Sequence, residues 1–373
     1  MNNIENNLFY YANSELSQDS FICWLFSFLK DPEKHVFTKM HDETKNMAQK
    51  FVDMCIADQY SSYMKTDRIV VKEIKAQYSN IDVLLLCEVI HQDNSKHSLA
   101  IIIEDKVNTI EHDDQLTRYK EIVKAKYENY EVIGIYYKTG FQSNISEIRK
   151  SGFKNVNRKL VVDFFKNNAN LEFQNSILED YKNYILNLDY ESEKFRTLDF
   201  SEWKWSQING FYNELHLNES KYFGKDVSSE FGYVPNPQGG FNGMWFDFSH
   251  FLVKETKITL YLQMEFRDIN EIKNQKPSDF RIVIKVSIDD KDEAEIDHKS
   301  IRDKLVGDYI DKKKSENNSF VRPVKFRSGK TMTLGIFKKS FDKFINSELI
   351  LQDCVKSFDI YKQKLLDDKI IHN

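Results

Sequence analysis

The chain has 373 residues, 41% apolar and 14% aromatic, which is enough to build a large core and more length than one core ordinarily fills. That content excludes a disordered chain despite 30% charged residues, and a formal net charge of −5 excludes a globally basic nucleic-acid binder, though not a local basic patch. The four cysteines, Cys23, Cys55, Cys87 and Cys354, are widely spaced, which excludes a zinc knuckle or disulfide framework and reads as reduced, buried thiols.

The first twenty residues lack the basic start and apolar run of a signal peptide, and the longest apolar runs are strand-sized. A cytoplasmic protein with no membrane contact is the expectation. Residues 13–29 predict a helix with Leu16, Phe21, Ile22, Leu25, Phe28 and Leu29 on one stripe, stopped by Asp31-Pro32. A second helix is predicted over 43–57, carrying Met47, Phe51, Met54 and Cys55. Three strands come next, over 68–78, 81–90 and 99–106, the last two parted by a polar turn at 91–98. Residues 110–127 predict a helix with Leu116, Tyr119, Ile122 and Val123, and 132–137 a buried strand. Residues 160–162 read as a short further strand, with Asp163 as a cap for the residues after it, and 174–188 as a closing helix.

After about residue 192 the composition changes. Aromatics cluster (Trp203, Trp205, Phe211, Tyr212), and prolines and glycines gather at 233–240. Alternation over 244–248, 257–266, 280–288 and 332–337 predicts antiparallel strands, and 339–366 a final helix. The expected division is therefore an α/β domain over 1–192 with a central mixed sheet and an α+β domain over 193–373. Specificity, dimerisation or partner binding are the roles open to the second, and a homodimer is compatible with it.

The chemistry concentrates in Asp82 and in the run Glu104-Asp105-Lys106. If 81–90 and 99–106 form a hairpin, Asp93 lies midway between Asp82 and Glu104, so those two carboxylates sit side by side at its open end. Glu104 and Lys106, two apart, share a face. Two opposed carboxylates repel unless a cation lies between them, and their oxygens suit Mg²⁺ or Mn²⁺. Such an ion shields charge on a phosphate in transfer, with Lys106 orienting water or stabilising the phosphate. The backbone carbonyl of Asp105, at a strand end, could complete the metal shell. The bland account is a salt-bridged cluster at a sheet edge.

Asp82…Glu104-Asp105-Lys106 resembles the D…(D/E)xK signature of the PD-(D/E)XK nuclease superfamily, and the order helix, three strands, helix, strand is similar to its restriction-endonuclease-like αβββαβ core. The resemblance covers roughly residues 8–190. It extends to the opening Glu15-Leu-Ser-Gln-Asp-Ser-Phe, to His112-Asp-Asp-Gln-Leu-Thr-Arg-Tyr119 and to Ile135-Tyr-Tyr-Lys-Thr-Gly140 of an uncharacterised bacterial branch. One departure is that Ile81, not proline, precedes Asp82. The resemblance implies a metal-dependent nuclease acting on nucleic acid, DNA first, with a part in defence against foreign DNA. RNA as the substrate and a catalytically silent binding module are its rivals.

It also bears on single residues. Gln115 and Tyr119, one turn apart, are similar to the Q-x-x-x-Y pair of RecB-like branches, which places Gln115 near the metal; Tyr119 is equally a core residue. Glu15 reaches the metal by analogy, or simply interacts with its helix dipole. Asp19 reads as solvated or structural, the Asp105 carboxyl as buried at the edge or salt-bridged on the opposite face, His112 as a surface histidine, and Gln77, in phase with Glu73, as a candidate lining residue. The basic runs 309–314 and 322–330 could contact phosphates or simply be solvated loops. The glycine-rich stretch 236–241 lacks the context of a phosphate loop.

Overall fold

The computed structural model describes residues 6–30, 39–56, 58–60, 64, 67–107, 109, 111, 114–168, 175–234, 240–267, 280–289, 296–313, 317–339 and 344–372. The chain divides into two compact units, residues 1–190 and 191–373.

The first unit opens with a short helix α1 (Leu8–Tyr11), then α2 (Glu15–Ser27), whose Ser14 cap accepts from the Ser17 amide, and α3 (Lys39–Ile56). Strands β1 (Arg68–Tyr78), β2 (Ile81–Ile90) and β3 (Lys96–Lys106) are antiparallel neighbours. Helix α4 (Gln115–Lys126) then crosses over to β4 (Glu131–Lys138), parallel to β3, and α5 (Ser146–Lys150) leads to β5 (Phe153–Asn157), parallel to β4. Helices α6 (Arg158–Asn167) and α7 (Ser176–Glu193) complete the sequence. The mixed sheet runs β1-β2-β3-β4-β5.

β2 and β3 are apolar on both sides because both sheet faces are covered. Val83, Leu85, Ile101, Ile103 and Tyr137 join the cluster formed with α2, α3, α6 and α7, while Leu84, Leu86, Ala100, Ile102 and Tyr136 join a smaller one under α4 and α5. Two expectations need correcting. Residues 160–162 are not a strand: Val161, Val162, Phe164 and Phe165 make one buried helical face of α6, and Asn157, not Asp163, caps it. Leu16 is exposed, and the α2 stripe is carried by Phe21, Ile22, Leu25 and Phe26.

The second unit contains α8 (Trp205–Leu217), α9 (Glu219–Phe223), α10 (His298–Val306) and α11 (Ser347–Asp367) with strands β6 (Ser229–Val234), β7 (Phe241–Val253), β8 (Thr256–Arg267), β9 (Arg281–Ile288), β10 (Phe320–Val321) and β11 (Thr331–Phe337). These strands pair antiparallel with one another, in the order β10-β11-β9-β8-β7-β6. Helix α11 starts at Ser347, later than the expected residue 339. Residues 235–239, within the glycine-rich stretch, and Lys314 lie outside the described residues. Among the described residues, no helix is long and apolar enough to cross a membrane. All four cysteines are free; Cys55, Cys87 and Cys354 are buried and Cys23 half-buried.

Candidate active site

The β2–β3 ladder runs from Ile90 opposite Lys96 to Val83 opposite Ile103, which centres the hairpin on Asp93 and puts Asp82 and Glu104 at its open end. Asp93 shapes the turn by accepting from the Ser95 amide at 2.9 Å. At the other end Asp82 Oδ2 accepts from the Asp105 amide at 2.9 Å and lies 3.7 Å from Lys106 Nζ, and that same ammonium donates to Glu104 Oε1. The two acidic groups and the amine meet as expected, on the face of β3 that looks toward α4.

Glu104 is 0% exposed, whereas Asp82 keeps 18% of its side-chain surface in solvent. Burial pushes the Glu104 carboxyl up to about 8, and the neighbouring Asp82 adds to that; Lys106 opposes both without cancelling them. Burial works to lower the Lys106 ammonium, but Glu104 and Asp82 outweigh it and hold it above its usual value. Glu104 Oε2 is buried without a hydrogen-bond partner among the described residues. A solvent-facing carboxylate beside one with an orphaned oxygen fits a hard divalent cation, which completes its shell with water and phosphate oxygens rather than a full protein cage. No group of three or more Asp, Glu, His or Cys placed to hold a metal ion occurs among the described residues.

Helix α4 brings in the neutral partners. Gln115, its first residue, donates from Nε2 to Glu104 Oε1 at 2.7 Å and to Tyr119 Oη at 2.7 Å. Tyr119 is buried, and its hydroxyl donates to Asn80 O at 2.5 Å. That bond holds a tight turn in which Gln77, Ser79 and Asn80 all have positive φ (53°, 52° and 67°), just ahead of Asp82. Local hydrogen bonding therefore fixes the approach to Asp82, where the superfamily signature has a proline.

A sequence model of the PD-(D/E)XK nuclease superfamily matches residues 6–209. The chain belongs to that superfamily. The mixed five-stranded sheet, with its helices on both faces, is consistent with the superfamily fold. Searches of curated proteins and of solved structures returned no match.

The opposite face of β3 holds Asp105, with Asp19 beside it. The Asp105 carboxyl is fully buried and accepts from Gln18 Nε2; Gln18 Oε1 in turn accepts from Thr139 at 3.1 Å and Tyr181 at 3.2 Å. Asp19 is buried, not solvated, and its Oδ2 accepts from Gln77, which also reaches Asp82 Oδ1 at 3.4 Å. Gln77 thus ties the two faces together, while Glu73 turns to Lys75 at 3.2 Å and takes no part. Burial, reinforced by Asp82, raises Asp19 to about 7. Burial also carries Asp105 well above the ordinary range.

Glu15 hydrogen-bonds to the backbone beyond Lys106, and its charge helps to hold the Lys106 ammonium up. Its Oε1 accepts from the Val107 amide at 2.8 Å, the Thr109 hydroxyl at 2.6 Å and the Thr109 amide at 3.4 Å. His112 lies outside the described residues. Sequence reasoning missed Gln18, an uncharged residue whose importance comes only from what it touches. It also missed Lys138, which had served merely as one letter of a motif. In the second unit, the Phe326 ring within the basic run 322–330 is covered by the Arg302 guanidinium at 4.3 Å.

Proposed function

We propose that the first unit is a nuclease that hydrolyses phosphodiester bonds, DNA first, with Mg²⁺ or Mn²⁺ held by Asp82 and Glu104. What carries this reading is the pairing of two carboxylates from neighbouring strands with a shared ammonium, one of their buried oxygens having no hydrogen-bond partner among the described residues. A bound divalent ion supplies charge neutralisation at the phosphate and makes an attacking water more acidic. Lys106, kept protonated by its acidic neighbours, offers its N–H groups to a phosphate oxygen as negative charge builds there. Gln115 holds the Glu104 carboxylate from the α4 side, and Tyr119 holds Gln115 and the turn before Asp82. The chain's own contribution is thus orientation and charge placement.

The test is incubation of the full chain with supercoiled, linear and single-stranded DNA and with RNA, in Mg²⁺ or Mn²⁺, beside Lys106→Ala. Cleavage of DNA by the wild type alone supports the proposal. Equal cleavage by both proteins, or cleavage of RNA only, overturns it as stated. Restriction of foreign DNA is the biological setting we propose on class alone. Equal phage plating on cells carrying wild type or Lys106→Ala counts against it. For the second unit we propose substrate or partner selection. Unchanged DNA preference and oligomeric state after substitution of its exposed Lys325 and Arg327 would set that aside.

A further inference from the structure

We infer that Glu15 and Lys138 act together as positioning residues, clamping the backbone just beyond Lys106 from two sides so that Lys106 and Gln115 keep their places around Glu104. The inference rests on the nuclease reading above. It starts from the polar groups of that backbone. Lys106 O accepts from the Thr139 amide at 3.2 Å. The Val107 and Thr109 amides both donate to Glu15, and the carbonyls of the same two residues both accept from Lys138 Nζ, Val107 O at 3.0 Å. A carboxylate at the start of α2 thus takes the donors, and an ammonium at the end of β4 takes the acceptors.

Lys138 is an unusual residue for a purely structural task. It is 2% exposed, and among the described residues its ammonium meets backbone carbonyls rather than a carboxylate. Burying a cation on such terms is unfavourable, so an apolar residue at that position would give the more stable protein unless the carbonyls had to be held. The Cα of Lys138 is level with that of Lys106 across the β3–β4 ladder, so the clamp acts directly where the candidate catalytic strand ends. Gly140 belongs to the same device: a Cβ there would lie 1.9 Å from Val107 O, so only glycine lets the chain after β4 pass this close to the clamped backbone.

The assignment also separates two roles for Glu15. A metal ligand must be a carboxylate, whereas a clamp needs only an oxygen acceptor, which an amide retains. Three measurements on the full chain decide the matter. Mn²⁺ titration should give Glu15→Gln an affinity within about twofold of wild type, with Asp82→Asn and Glu104→Gln as the variants that lose it. Amide exchange at Val107 and Thr109 should speed up about a hundredfold in Glu15→Ala and in Lys138→Met, with amides in β2 unchanged; those β2 amides report whether each variant is folded. On DNA, the same two variants should lose about tenfold or more in kcat at nearly constant KM, and Glu15→Gln should recover most of it.

Loss of Mn²⁺ binding in Glu15→Gln would make Glu15 a ligand and overturn the clamp. Unchanged exchange at Val107 and Thr109 in Lys138→Met would overturn it as well. The exchange arm needs no turnover, so it stands even if the chain proves not to cleave DNA.

Discussion

Glu104 offers the sharpest test, because a fully buried carboxyl raised to about 8 must leave a mark on stability. Between the ordinary carboxyl range and that value, the folded state holds a proton that the unfolded state has released. The stabilisation from this proton is complete below the unfolded pKa and is lost as pH rises through the folded one. One such proton makes stability fall by about 1.4 kcal/mol per pH unit. Over pH 5.5–7.5, Glu104 alone therefore accounts for a fall of about 2–3 kcal/mol. Asp19 and Asp105 act in the same direction. Glu104→Gln removes the charge and keeps an acceptor for Lys106. In EDTA it should match wild type near pH 5.5 and exceed it by about 1–3 kcal/mol at pH 7.5, roughly 2–10 °C in Tm. The assay is thermal unfolding at three pH values. The transition of the first unit is identified as the one moved by Leu85→Ala, a core truncation costing about 2–5 kcal/mol. A wild-type stability that stays level or rises over this range, together with a Glu104→Gln variant less stable at pH 7.5, would refute the reasoning.

The same geometry sets other outcomes. Mn²⁺ affinity, measured by calorimetry in two buffers of different ionisation enthalpy, should fall about tenfold per pH unit below about pH 8, with a proton released on binding. Lys106→Met should lower DNA cleavage about a hundredfold or more in single-turnover kinetics, and Mn²⁺ should still bind. Tyr119→Phe, which loses the bond to Asn80 O, should cost about 1 kcal/mol in urea unfolding and reduce kcat more than KM changes. Asn157→Ala, which removes the α6 cap, should cost about 1 kcal/mol in the same unfolding assay with cleavage intact.

What the sequence disclosed was governed by symmetry and period. The β2–β3 hairpin could be placed because a single turn residue, Asp93, centres the pairing of these two strands with each other, down to Val83 opposite Ile103 and so to Asp82 and Glu104 just beyond. The parallel register of Lys106 with Lys138 could not, because a helix intervenes and no turn sets the offset, so the clamp stayed hidden. Strand β5, at the sheet edge, mixes polar and apolar residues on both faces and shows little of a strand pattern. The β-branched pair Val161 and Val162 looked like a strand, but the phenylalanines at 164 and 165 complete a helical face. The buried Asp19–Asp105 arrangement was illegible for another reason: an aspartate's environment depends on which side chains fold over it, here Gln18 and Gln77.

The clamped backbone has a consequence for synthesis. A ribosome that has released the chain only through Thr109 has already made Asp82, Glu104 and Lys106, yet the lysine that seats the last of these still waits inside the exit tunnel. Until β4 has been made and docked, the Val107 and Thr109 carbonyls therefore lack the ammonium that holds them in the finished fold.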